Sequence, residues 1–189
     1  MPNQDKMYNG MRNIRDIAAN MVPPGVCYVE PFGGHAWVAK EVCDSQKGKA
    51  TTCIIGDINP EPLEWVKTHH KNLKAILKVQ DWKKTVNEAP ADCVFLFDPP
   101  FQVAPVIPGR QPGRNWNYNY YPDIKEWCDR TKRKCIVNLP NSRANLYNMV
   151  KPLFTNDKRW KCIEGEKIQK GKKPGAKDLH WRYLICKNF

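Results

Sequence analysis

The sequence predicts an α/β fold: a mostly parallel sheet with helices on both faces, followed by an antiparallel hairpin. Three observations carry that prediction. Short apolar or β-branched runs recur at residues 26–30, 51–56, 93–97 and 135–139. Stretches with helical spacing of apolar residues alternate with them. Two further strand-like runs, 160–168 and 179–189, flank a lysine-rich connection.

Taken in order, residues 11–21 place Ile14, Ile17, Ala18 and Met21 at spacings of three and four, one face of an amphipathic helix. Pro23, Pro24 and Gly25 end it. The run VCYVE (26–30) reads as a buried strand, PFGG as a turn and HAWVAKEV (35–42) as a helix. After the strand at 51–56 come Asp57, Ile58 and Asn59, and Pro60 suits the first turn of a long helix. Leu63, Val66, His70, Leu73 and Leu77 form its expected inward stripe. A brief strand around Val79 and a short helix after Trp82 lead to CVFLF (93–97), which stops at Asp98-Pro99-Pro100-Phe101. Residues 102–122 lack periodicity and read as a long loop, of a length that commonly serves function. Helices are expected at 123–132 and 143–153, on either side of the strand at 135–139. A single domain over residues 1–189 is the expected organisation.

Hydrophobic residues make up 41% of the chain and charged residues 26%, which excludes a wholly disordered protein. No apolar run reaches the roughly 18 residues that cross a bilayer, and MPNQDKMYNG lacks the apolar core of a secretory leader. An intracellular, cytoplasmic protein without a membrane partner is expected. The eight cysteines form no C-x-x-C pair and no zinc spacing, so no metal is expected. Cys27, Cys53, Cys93, Cys135, Cys162 and Cys186 fall in strand-like segments and read as reduced thiols packed as small hydrophobes. A formal net charge of +12 attracts polyanions, chiefly nucleic acid, although a solubilising excess of lysine gives the same number.

Ligands of parallel sheets bind beyond the carboxyl ends of the strands. Glu30 through Gly34, Asp57 and Asp98 through Phe101 all fall there. Gly33 and Gly34 either make a tight turn or let a ligand approach the backbone. Glu30 would repel phosphate and attract a cation. Asp57 can accept hydrogen bonds from ribose hydroxyls or cap the helix ahead of Pro60.

The segments YVEPFGGHAWV, GDIN and VFLFDPPF, in this order and spacing, resemble the Dam-like family of DNA adenine methyltransferases. Family motifs read close to V-E-P-F-x-G-G, an aspartate, and D-P-P-Y or a variant with another aromatic. The resemblance extends to NGMRNIRDIAANMVP (9–23) and to the final hairpin, so it spans most of the chain. It implies a Rossmann-like class I methyltransferase fold with a seven-stranded sheet. It also implies S-adenosylmethionine as cofactor and methyl transfer to the exocyclic amino group of a nucleic-acid base, above all N6 of adenine in DNA. Carried over residue by residue, Tyr8, Asn9 and Arg12, then Glu30, Pro31, Phe32, Gly33 and Gly34, then Asp57, Ile58 and Asp98 surround the cofactor. Asp81 and Trp82 match the motif that meets its adenine, where Asp81 reads equally as an exposed helix cap. The sulfonium and ammonium of S-adenosylmethionine are the cations that would suit Glu30.

Asp98-Pro99-Pro100-Phe101 carries the most chemistry, because an aromatic amine delocalises its lone pair into the ring. Asp98 and the Pro99 carbonyl can accept the two amino hydrogens and favour a more tetrahedral nitrogen. Prolines hold the backbone rigidly, and Phe101 can stack on the base, a contact worth about 1–3 kcal/mol. As a structural alternative, the motif is a turn with Phe101 in the core. Phe instead of Tyr also occurs in enzymes acting on guanine amino groups of RNA, so an RNA amino-methyltransferase (adenine N6 or guanine N2) stands beside the DNA reading. A catalytically silent nucleic-acid-binding module is a third reading, against which the intact acidic set argues.

Arg110, Arg114, Trp116, Tyr118, Tyr120 and Tyr121 interleave charge and aromatic rings, as a lid over the target base or as rings packed back on the domain. Lys167, Lys170, Lys172, Lys173 and Lys177 either grip phosphates or solvate a turn. His69, His70 and His180 read as surface or core histidines. Dam-like enzymes usually insert a target-recognition region before D-P-P-Y; here only residues 58–97 intervene. A minimal enzyme of loose specificity, a protein partner that supplies recognition, or an RNA or single-stranded substrate would each follow. Such compactness would suit a virus or mobile element.

Overall fold

The computed structural model describes residues 12–46, 48–100, 119–140, 146–169 and 179–189. Its elements run α1 (Arg12–Met21), β1 (Cys27–Glu30), α2 (Trp37–Val42), β2 (Thr52–Asp57), α3 (Pro60–His69), β3 (Ile76–Val79) and α4 (Trp82–Glu88). Then come β4 (Val94–Phe97), α5 (Tyr121–Thr131), β5 (Lys134–Asn138), α6 (Tyr147–Thr155), β6 (Lys161–Gln169) and β7 (Leu179–Lys187). The seven strands form one sheet in the order β3-β2-β1-β4-β5-β7-β6. β1 to β5 are parallel, and β7 lies antiparallel between β5 and β6.

Both faces of the sheet are covered, which is why its central strands read as continuous apolar runs. Along β4, Phe95 and Phe97 enter one cluster with Trp82, Trp127 and Phe154, while Val94 and Leu96 enter the other with Ala39, Leu63 and Val66. Successive side chains thus feed opposite cores, the period-two rule applied to a strand buried twice. Phe95 and Phe97 are fully buried, and truncating either to alanine would cost about 3–5 kcal/mol.

Sequence-based boundaries shift at several elements, and α6, expected at 143–153, runs to Thr155. α3 ends at His69, so His70 is its C-cap, Leu73 lies beyond it and Leu77 belongs to β3. Ala36 adopts a left-handed conformation (φ 52°), which delays α2 to Trp37. α5 begins at Tyr121 within the stretch read as loop, because Pro122 fits a first helical turn. Among the described residues, no helix is long and apolar enough to cross a membrane.

The cysteines depart from the expectation of reduced thiols. Cys27 pairs with Cys93, Cys43 with Cys53 and Cys162 with Cys186, while Cys128 and Cys135 are free and buried. For Cys162 and Cys186 strand register is the physical reason, since they face each other across β6 and β7 with Cα atoms 4.0 Å apart. Cys43, at the C-cap of α2, reaches Cys53 on β2 by helix-on-sheet packing. Packing as a small hydrophobe accounts for Cys135 alone among the six.

Candidate active site

The sheet order reverses between β1 and β4, which opens a crevice at their carboxyl ends. Glu30 ends β1, Asp57 ends β2, Asp98 follows β4 and Asn138 ends β5. Parallel pairing brings these four polar residues to one edge.

Glu30 is buried, and its Oε2 accepts the Tyr28 hydroxyl at 3.0 Å and the Ala39 amide at 3.1 Å. The second bond satisfies an amide in the first turn of α2, which has no side-chain N-cap. Burial pushes the Glu30 carboxyl up to about 8; the charges of Asp98 and Asp57 add to the rise, against the two hydrogen bonds. Among the described residues no lysine or arginine pairs with Glu30, Asp57 or Asp98. A cationic ligand in the crevice would favour the ionised forms of Glu30 and Asp98.

The turn after β1 assigns its two glycines different jobs. Gly33 donates its amide to the Gly56 carbonyl at 2.7 Å, and a Cβ on Gly33 would overlap Cγ2 of Ile55. Of the two readings of Gly33, the tight turn is the one these contacts support: its bare Cα lets the turn pack on β2. Gly34 has φ 48°, and a Cβ there would meet no atom within 4 Å. Its amide donates to Asp57 Oδ2 at 2.8 Å, while Oδ1 accepts the Asn59 amide at 2.8 Å. Asn59, not Asp57, caps α3, through the Glu61 amide at 3.1 Å. Ile58 beside Asp57 is 74% exposed, an apolar surface available to a flat ligand.

Asp98 is half-buried, and its Oδ1 accepts Nδ2 of Asn138 at 2.8 Å. Burial pushes its carboxyl up to about 6, against the lowering effect of that bond. Pro99 is buried and Pro100 half-buried, as a rigid continuation of β4 requires.

Several predicted site residues have other roles. Trp82 is buried, with its ring stacked on Phe32 at 5.7 Å and edge-on to Phe97, so it is a core residue and not an open adenine platform. Asp81 caps α4 through the Lys83 amide at 2.8 Å. Tyr121 is buried and donates its hydroxyl to the Asn138 carbonyl at 3.1 Å, which takes it out of the expected lid. Tyr120 packs edge-on to Phe32 at 5.2 Å and near enough to Asp81 and Asp57 for their charges to raise its hydroxyl pKa beyond the effect of burial. It therefore lies on the side of the crevice that holds Phe32, Asp57 and Asp81. Pro31 is buried and Phe32 half-buried against the core. Arg12 opens α1, with its side chain outside the described residues. Tyr8, Asn9, Phe101, Arg110, Arg114, Trp116, Tyr118, Lys170, Lys172, Lys173 and Lys177, expected at the cofactor or the polynucleotide, also lie outside them. Lys167 sits in β6.

Sequence reasoning missed Asn138 and Tyr28. A polar residue ending the apolar run CIVN was the available signal for Asn138, since the strand-end rule applies equally to β5. No grouping of three or more His, Cys, Asp or Glu suited to a metal occurs among the described residues.

No protein-family model matches the chain, and no curated protein is recognisably similar in sequence. Solved structures do match its fold. The precorrin-6y C5,15-methyltransferase of Geobacter metallireducens GS-15 superposes with a TM-score of 0.62 at 10% identity, over 94% of this chain and 89% of that one. An rRNA methylase of Streptococcus thermophilus gives 0.59 at 10% identity, over 95% and 96%. Sp1610 of Streptococcus pneumoniae, a proposed tRNA methyltransferase solved with S-adenosyl-L-methionine, gives 0.54 at 12% identity, over 93% and 72%. The chain has the Rossmann-like fold of class I methyltransferases, with the seven-stranded, mostly parallel sheet and antiparallel end that the motifs imply. At such identities the likeness defines the fold.

Proposed function

We propose that the protein transfers a methyl group from S-adenosylmethionine to the exocyclic amino group of a nucleic-acid base, with N6 of adenine in DNA as the first candidate. The observation that carries this reading is the placement of Asp98-Pro99-Pro100 across the switch-point crevice from Glu30 and Asp57. The residues fit the cofactor: Glu30 is a buried carboxylate without a described cation, Gly34 leaves open space, and Asp57 and exposed Ile58 suit a ribose and a purine. When bound, the sulfonium supplies the methyl group and a good leaving group. Asp98 and the Pro99 carbonyl orient the substrate's amino group and accept its hydrogens, so the nitrogen lone pair is directed rather than delocalised. In the ligand-free protein Asp98 is ionised above about pH 6, and the cofactor's cation extends that range downward.

The net charge of +12 supports a polynucleotide as the substrate, and the lysines from 167 to 177 offer phosphate contacts. Because so few residues separate Asp57 from Asp98, a protein partner that reads the target, or a single-stranded target, accompanies the proposal. An RNA amino group is the second reading, favoured by Phe101 in the fourth motif position. Incubation with isotopically labelled S-adenosylmethionine and DNA or RNA, then digestion to nucleosides and mass spectrometry, tests both. Labelled N6-methyladenine from DNA is the expected product. Label only in RNA selects the second reading, and no label in either polymer rejects methyl transfer to nucleic acid.

A further inference from the structure

Asn138 ends β5, hydrogen-bonded alongside β4, and is only 3% exposed. Its backbone carbonyl accepts the Tyr121 hydroxyl from α5, and its Nδ2 donates to Asp98 Oδ1. Its own Oδ1 has no partner among the described residues. A carboxylate can only accept, so the amide nitrogen must face Asp98 and the amide oxygen must point elsewhere. A buried acceptor left unpaired is costly, and an apolar residue would continue the run of Cys135, Ile136 and Val137 without that cost. The amide is therefore placed for the carboxylate and not for packing.

We infer that Asn138 is a positioning residue for methyl transfer: through Nδ2 it fixes the Asp98 carboxylate and leaves Asp98 Oδ2 to receive the substrate's amino hydrogen. The inference rests on the proposed role of Asp98 as that acceptor. Among the described residues, the titratable groups facing Asp98 are Tyr28 and Glu30 on β1 and Tyr121 on α5. None of them brings positive charge, and both tyrosines are held neutral by burial. Among the described residues, Asn138 is thus the group that stabilises the ionised form against burial.

The test compares wild type with Asn138→Ala, Asn138→Ser and Asn138→Asp in the full chain. Asp98 is titrated by carboxyl carbon NMR, its signal assigned with Asp98→Asn, and single-turnover transfer is followed against pH. In wild type the NMR midpoint of the ligand-free protein should fall near 6, and the transfer midpoint below it, because the cofactor's cation favours the ionised carboxylate. In Asn138→Ala both should move together to higher pH, with transfer at the wild-type midpoint down about tenfold and cofactor affinity changed by less than about threefold. Asn138→Ser keeps a donor and should recover part of the loss, whereas Asn138→Asp adds a like charge and should move the midpoints furthest. Should the alanine variant fail to fold, the serine and aspartate variants carry the same comparison. Unmoved midpoints in an active protein overturn this inference alone, as does cofactor affinity that falls in step with transfer. A wild type inactive on every polynucleotide overturns the proposed function, and the role in transfer falls with it.

Discussion

The Gly33 amide and the Gly56 carbonyl are joined by a 2.7 Å hydrogen bond that seats the turn after β1 directly on β2. Cβ at Gly33 would overlap Ile55, a fully buried core residue, so the constraint comes from the fold. Gly33→Ala should lower unfolding free energy by about 1–3 kcal/mol, the usual cost of overpacking. Gly34→Ala meets open space but a positive φ, and should cost about 1 kcal/mol while narrowing the crevice. Denaturant titration of both variants checks this. A Gly33→Ala protein as stable as wild type would refute the packing role.

Glu30 makes the stability of the ligand-free protein depend on pH. Its folded value of about 8 lies above its ordinary 4.5, so the folded state holds a proton that the unfolded state has lost. Its contribution is fully present below about 4.5 and lost as pH rises to about 8. Asp98 has the same sign over a lower window, from 3.8 to about 6. Glu30→Gln keeps an acceptor for Tyr28 and Ala39 and cannot ionise. The stability of this variant relative to wild type should therefore rise between about pH 5 and pH 8. A difference independent of pH would show that Glu30 titrates normally.

Much of this architecture was legible in the sequence because strands buried on both faces leave long apolar runs, and because their ends carried acidic residues and prolines. Glu30, Asp57 and Asp98 could be placed at one edge without coordinates, since parallel strands align their carboxyl ends. What pattern could not give was the neighbour of each residue. Trp82 and Tyr121 read as available aromatics, yet whether a ring faces ligand or core depends on the angle of α4 and α5 to the sheet. Gly33 read as a tight turn or a clearance for ligand, and pattern could not choose because the approach of β2 is a tertiary fact. Asn138 was passed over as the end of a strand, and its meaning comes from the register that sets it beside Asp98.

The disulfides are checked by counting thiols. In denaturant without reductant, two reactive groups are expected, Cys128 and Cys135, and all eight after reduction. The native protein should react slowly, because both free thiols are buried. Cys27–Cys93 spans a sequence separation of 66, the longest of the three, and in a chain-entropy account its loss costs about 4 kcal/mol. Reduction should accordingly lower the unfolding midpoint. Eight reactive thiols before reduction would refute all three pairings.

Asp98→Ala separates cofactor binding from chemistry. The residues proposed to hold the cofactor, Glu30 and Asp57, keep their own hydrogen bonds to Tyr28, Ala39, Gly34 and Asn59 when Asp98 is truncated. Affinity for S-adenosylmethionine should stay within about tenfold, since removing one half-buried carboxylate takes away attraction for the cation but also relieves repulsion on Glu30. Methyl transfer should fall by about a hundredfold or more, near 3 kcal/mol of barrier, the usual loss when one oriented group is deleted from a water-poor site. Asp98→Asn should also be severely impaired: its amide offers one acceptor and an unwanted donor, and Nδ2 of Asn138 would compete for that acceptor. Single-turnover transfer paired with calorimetry on the same samples measures both quantities. Transfer by Asp98→Ala at a near wild-type rate would remove Asp98 from the reaction and leave the crevice without its proposed acceptor.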